Sequence, residues 1–256
     1  MNLLRTELRK IFPYRTFWII IAIYVILLLL IVYASSNVVI NGKSLGAPTY
    51  QFPEIWNRLT YIASFFNLLL GILIIVLVTD EFSFRTIRQQ IIDGLSRSEF
   101  IQAKFLVILV IAVFSAVFLL VMGLYFGITH SSNVSLTAIT GQTDHLLYFF
   151  MQAIAYMTLA MLFAFVIKKS GLAIIAFIAY TKVVEPIIHF SIDDTLDQYF
   201  PMKVFSSLTP MPGQEILDQL TTATILLSPP WAALLTLVYI SIFLVISYMV
   251  IKLRDL

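Results

Sequence analysis

Apolar runs separated by short polar stretches set the pattern of this chain. Five are clear, at residues 17–34, 59–79, 103–129, 146–167 and 231–251. Each approaches or exceeds the roughly 20 apolar residues with which a helix crosses about 30 Å of hydrocarbon. A sixth run, 171–190, is less uniform, because Lys182, Glu185, Pro186 and His189 fall in its second half. A charge at a span centre costs about 2.5–3.5 kcal/mol, against roughly −0.3 to −0.6 for each Leu, Ile, Phe or Val. The apolar stretch 172–180 therefore offsets one charge and hardly two. The run spans if Lys182 and Glu185, three apart on one helical face, pair with each other or snorkel outward. The pattern predicts an all-α polytopic membrane protein, with residues 1–256 forming one transmembrane domain of six helices.

The polar stretches have patterns of their own. Residues 81–100 read EFSFRTIRQQIIDGLSRSEF, and the segment 80–104 gathers Asp80, Glu81, Arg85, Arg88, Asp93, Arg97, Glu99 and Lys104. Phe84, Ile87, Ile91 and Leu95 recur on one helical stripe, with Arg85, Arg88 and Gln89 off it. Asp93-Gly94 supplies a stop, since Gly tolerates the left-handed conformation that closes a helix. Ser96-Arg97-Ser98-Glu99 follows with the capping-box spacing, and Leu95 and Phe100 sit where a hydrophobic staple would form. This predicts two helices joined by a fixed elbow.

At the N-terminus, residues 1–14 predict an amphipathic helix, with Leu4, Leu8, Ile11 and Phe12 on one face and Pro13 ending it. Its cations Arg5, Arg9 and Lys10 lie elsewhere, facing acidic headgroups at the membrane surface. The segment 191–230 mixes acids and prolines with recurring apolar residues, Phe200, Val204, Phe205, Leu208, Ile216, Leu217 and Leu220 among them. Two short interfacial helices fit it better than an open coil.

Composition agrees. Hydrophobic residues make up 60% and charged residues 12%, and mean hydropathy is +0.96; a soluble domain holds about 25% charged residues. A net charge of +2 with dispersed cations gives no nucleic-acid footprint. Without cysteine, disulfides, thiolate nucleophiles and Cys-ligated metals are excluded. The first apolar run exceeds the about 7–15 residues of a signal-peptide core, so an uncleaved first span is expected. Lys and Arg concentrate in the N-terminal segment, in 80–104, at Lys168-Lys169 and in the tail, which places both termini in the cytoplasm. Trp18, Trp56 and Trp231 near run ends suit interfacial belts.

Candidate chemistry is sparse. Glu185 and His189 are four apart on one helix face, but a catalytic zinc needs three protein ligands, and His130 and His145 fall in an outer loop. The expected role of Lys182, Glu185 and His189 is a polar cluster near the outer leaflet, pairing with the 191–230 segment or lining a pathway. Asn67 and Gln152, polar inside apolar runs, suit inter-helix hydrogen bonds or a pathway. Ala153, Ala155, Ala160 and Ala164 would let helices approach closely. ATP hydrolysis needs a Gly-x-x-x-x-Gly-Lys-Ser/Thr loop, which the chain lacks. A charged inner loop alone is equally compatible with merely fixing topology.

Glu81, Thr86, Arg88, Gly94-Leu95-Ser96-Arg97 and Lys104 resemble the segment between spans two and three of ABC transporter type-2 permeases. The six-span layout, amphipathic N-terminal helix and long outer segment before the last span are similar too, so the likeness covers most of the chain. Phe84-Arg85 depart from it, standing where many relatives have Gly before the Thr.

The resemblance implies a multi-pass permease subunit in a prokaryotic cell membrane, exporting a substrate of unspecified class. It implies a dimer, as homodimer or related heterodimer, with two copies of an ABC ATPase that hold the ATP and Mg; the permease holds no cofactor or metal and is not an enzyme. It further implies that the 80–104 segment is a cytoplasmic coupling helix. ATPase contacts then fall at Glu81, Arg85, Thr86, Arg88, Asp93, Gly94, Ser96, Arg97 and Glu99. A stand-alone channel or secondary transporter, or an intramembrane enzyme using Glu185 and His189, are the alternatives.

Overall fold

The computed structural model describes residues 3–253 except 41–42, 45, 85, 93, 132–133, 190, 193 and 215–225. The described chain is helical apart from a minimal antiparallel pairing of Val39–Ile40 with Lys43–Ser44. In order, the helices are α1 (Leu3–Ile11), α2 (Arg15–Ser36), α3 (Ile55–Ser64), α4 (Asn67–Ser83), α5 (Thr86–Ile92), α6 (Arg97–His130) and α7 (Leu136–Thr140). There follow α8 (Asp144–Ile167), α9 (Ser170–Ala179), a π-helical turn at Tyr180–Val184, α10 (Glu185–His189), α11 (Asp194–Asp197), α12 (Pro201–Ser207) and α13 (Pro229–Leu253).

Five helical stretches are long and apolar enough to cross a bilayer: Arg15–Ser36, Arg97–His130, Leu136–Ile167, Ser170–His189 and Pro229–Leu253. The second apolar run, expected as one helix, is instead two. α3 and α4 meet at a bend of 43°, and they make a sixth stretch only when taken together. The bend falls just before Asn67, whose buried amide reaches sideways to Gln152 on α8 rather than continuing an apolar helix face. Short polar side chains of this kind weaken a helix interior.

The core is centred on α8, which packs against α4, α6 and α13. Ala153, Ala155, Ala160 and Ala164 are all fully buried there, so small side chains let neighbouring backbones come close. Gly123 of α6 does the same for Trp56, since a Cβ at that position would overlap the indole. Trp56 is thereby buried, its Nε1 donating to Ile139 O at 2.8 Å, and does not sit in an interfacial belt; Trp18 and Trp231 are exposed.

The described part of the 191–230 segment includes α11 and α12. α12 packs against α8 and α13 rather than standing free of the bundle, with Val204, Phe205 and Leu208 fully buried. Its polar groups find partners inside the bundle, which makes the burial affordable. Gln152 Nε2 donates to Phe205 O at 2.7 Å and to Thr209 Oγ1 at 3.0 Å. Ile216, Leu217 and Leu220 lie outside the described residues.

Candidate functional site

Asp80 and Glu81 occupy the last turn of α4, and the chain then enters the elbow. Thr86 Oγ1, at the start of α5, donates to Glu81 O at 3.2 Å. α5 ends as the spacing predicts: Gly94 takes φ 98°, and Leu95 N returns to Gln90 O at 3.0 Å. Ser96 then opens α6 with a complete capping box, Glu99 N donating to Ser96 Oγ at 3.2 Å and Ser96 N to Glu99 Oε2 at 2.9 Å. Arg97 Nη1 donates to Lys252 O at 2.7 Å, tying the elbow to the end of α13.

Beneath this elbow α1 docks on α6 through an alternating ring of charge. Lys104 Nζ lies 2.6 Å from Glu81 Oε1 and also pairs with Glu7. Lys10 Nζ lies 2.6 Å from Glu7 Oε1 and 3.4 Å from Glu81 Oε1. Glu7 is 3% exposed and Lys104 5%, so neither charge could remain without the other; removing one partner of such a pair costs about 3–5 kcal/mol. The Lys104 ammonium also sits 5.3 Å from the Phe100 ring centre.

Burial alone would raise the Glu7 carboxyl, but Lys104 and Lys10 beside it hold it below its ordinary value. Burial would likewise lower Lys10, and Glu81 and Glu7 outweigh it, raising the ammonium. Tyr14, partly buried and donating its hydroxyl to Asp80, is held above the usual phenol value by that desolvation and by the Asp80 carboxylate.

The expected site residues thus divide. Glu81 turns inward to the ring, whereas Gly94, Ser96 and Glu99 are exposed on the elbow. Phe84 stands outside the expected stripe. It caps α4 rather than joining α5, so it points outward at 75% exposure, while Ile87 is buried. Ile92 is 83% exposed. Arg85, Asp93 and the side chain of Arg88 lie outside the described residues. Arg5 and Arg9 are exposed on α1, but Lys10 belongs to the ring.

Glu7 was not among the expected residues. Its signal was present, since Leu4, Glu7 and Ile11 share one helical side and Lys10 follows Glu7 by three.

At the other end, Glu185 is fully buried and its Oε1 accepts from Met202 N at 2.5 Å, capping the first turn of α12. His189 lies between carboxylates, Nε2 3.7 Å from Glu185 Oε1 and Nδ1 3.5 Å from Asp197 Oδ2, and Lys203 pairs with Asp197. Lys182 is exposed and outside this cluster. The π turn between them is wider than an α turn, so residues three apart no longer share a face. Among the described residues no group of three or more His, Cys, Asp or Glu side chains could hold a metal ion.

A family model described as an ABC-2 family transporter protein matches residues 3–184. The chain belongs to this family. Curated proteins give no match. Members of the family are multi-pass transporter permeases, not themselves enzymes, and they generally partner with ABC ATPase subunits. In this ABC-2 chain the match takes in α1, the elbow and the whole Glu7–Lys10–Glu81–Lys104 ring.

Proposed function

We propose that this ABC-2 chain is the transmembrane subunit of an ATP-driven exporter. Six spans, with both termini and the elbow in the cytoplasm of a prokaryotic cell, would form the translocation pathway as a dimer, homomeric or with a related permease. Two ATPase subunits would carry ATP and Mg, since the chain has no phosphate-binding loop of its own. The elbow of residues 81–104 is then the coupling element.

The carrying observation is a stiff elbow with an apolar tip. Its root is pinned by the Glu81–Lys104 pair, its turn by Gly94 and the capping box, and its far side by Arg97 on Lys252 O. Phe84 and Ile92 meanwhile stay exposed. Large exposed apolar side chains in a polar setting are what a partner groove buries. Closure of the ATPase pair on ATP would push the elbow, and α4 and α6, being continuous with it, would tilt and switch access to the pathway.

The double variant Arg88→Glu with Ile92→Asp tests this. It is expected to fold and insert as the wild type does but to lose its ATPase subunit on purification in mild detergent, and with it ATP-dependent export. Retention of the ATPase at wild-type stoichiometry would refute the elbow as the docking element.

A further inference from the structure

Between α1, α4 and α6, beside the ion-pair ring, lies a cavity of about 230 Å³. Ile74, Leu77 and Val78 of α4 and Val107 of α6 make one side of it apolar. At roughly 30 Å³ per water, the space would take several waters, each needing 2–4 polar partners. That side supplies none. An occupant suited to it has an apolar body and a polar end.

The sign of the polar end follows from the lining charges. Among the described side chains these are the carboxylates of Glu7, Asp80 and Glu81 against the ammoniums of Lys10 and Lys104. Both lysines are engaged by Glu7 and Glu81. Among the described residues Asp80 accepts from the Tyr14 hydroxyl and forms no ion pair. Glu81 Oε2 is buried without a hydrogen-bond partner. Against the described side chains an anionic head would meet a net negative lining, and a neutral one would leave Asp80 without a described counter-charge. A primary ammonium brings one positive charge and three donors.

We propose that this cavity binds an amphiphile with a single primary ammonium head. The head sits between Asp80 and Glu81, and the tail lies along Ile74, Leu77, Val78 and Val107. Two sources share that chemistry, a membrane aminolipid and a free long-chain amine. Because the head lies where α1 meets the end of α4, an occupant also reinforces the docking of α1.

The test is calorimetric titration of dodecylamine into the full chain, purified in a neutral maltoside detergent, with dodecanol and dodecyl sulfate as controls. The wild type is expected to bind dodecylamine saturably at one site. Asp80→Asn keeps an acceptor for Tyr14 and is expected to bind about tenfold more weakly or worse, the loss of a charge-assisted contact. Leu77→Trp fills the tail end without changing charge and is expected to weaken binding as well. Equal affinity in the wild type and Asp80→Asn overturns the proposal, as does dodecanol binding as tightly as dodecylamine. In nanodiscs, competition by phosphatidylethanolamine but not phosphatidylcholine assigns the site to aminolipid; saturable dodecylamine binding without that competition assigns it to free amines. No ATPase subunit is needed, so this result is separable from the coupling reading.

Discussion

At the scale of single residues, the ring of Glu7, Lys10, Glu81 and Lys104 carries the sharpest expectations. Lys104→Met leaves two carboxylates facing each other with only the half-exposed Lys10 between them. The expected loss is about 3–5 kcal/mol, read as a lower thermal midpoint in detergent, whereas Arg9→Met on the exposed face of α1 should leave the midpoint unchanged. The pH dependence has two edges. Glu7 titrates below its ordinary 4.5, so its contribution is present above 4.5 and is lost as pH falls through the lowered value. Lys10 titrates above its ordinary 10.5, so its contribution is complete below 10.5 and is lost as pH rises through the raised value. A fluorophore on Arg9→Cys, in a chain otherwise free of cysteine, should report constant docking of α1 between those edges. A transition near neutrality would contradict the ring. Lys104 and Glu81 were visible as charges beside apolar runs, but the ring they complete was not, because its third member, Glu7, lies on a helix 74 positions before Glu81 in the sequence. A contact of that kind leaves no periodic trace.

At the scale of elements, what was legible is what local chemistry decides. The Ser96–Glu99 box and the Gly94 stop are formed as their spacing foretold, because both depend on neighbours within five residues. Ser96→Ala should cost about 1 kcal/mol, and Gly94→Ala a comparable amount from φ alone, since no atom lies within 4 Å of the added carbon. Hydrogen exchange of the amides at 86–100 checks both, and both should increase exchange there without altering α8. Unchanged exchange would mean that tertiary contacts, not the caps, hold the elbow. The bend between α3 and α4 was not legible, because residues 59–79 read as one apolar run straight across it. Nor was the burial of α12. Its sequence is mixed enough for an interface, and among the described residues Gln152 and Glu185, reaching from other helices, give its backbone groups partners inside the bundle.

At the scale of the molecule, one order of events runs through the chain. Apolar runs make the helices, small residues on α8 let them close, and the few charges collect at the two ends of the bundle, in the ring beneath the elbow and in the Glu185–His189–Asp197–Lys203 group. Polar side chains that stay inside, Asn67 and Gln152, bond to each other at 3.0 Å. Membership of the ABC-2 family rests on residues 3–184, so the first three-quarters of the chain carry the identification and the buried α12 lies beyond it. Under the proposed coupling, the elbow is where the molecule would meet its drive. Single cysteines can therefore map the contact directly, with Ile92→Cys on the elbow and Leu136→Cys, also exposed, at the opposite end of α6. Treated with a short bismaleimide in the purified complex, Ile92→Cys should cross-link to a subunit bearing a Gly-x-x-x-x-Gly-Lys-Ser/Thr loop, and Leu136→Cys should not. An intact complex in which only Leu136→Cys reaches that subunit would contradict the proposed coupling of this permease through residues 81–104.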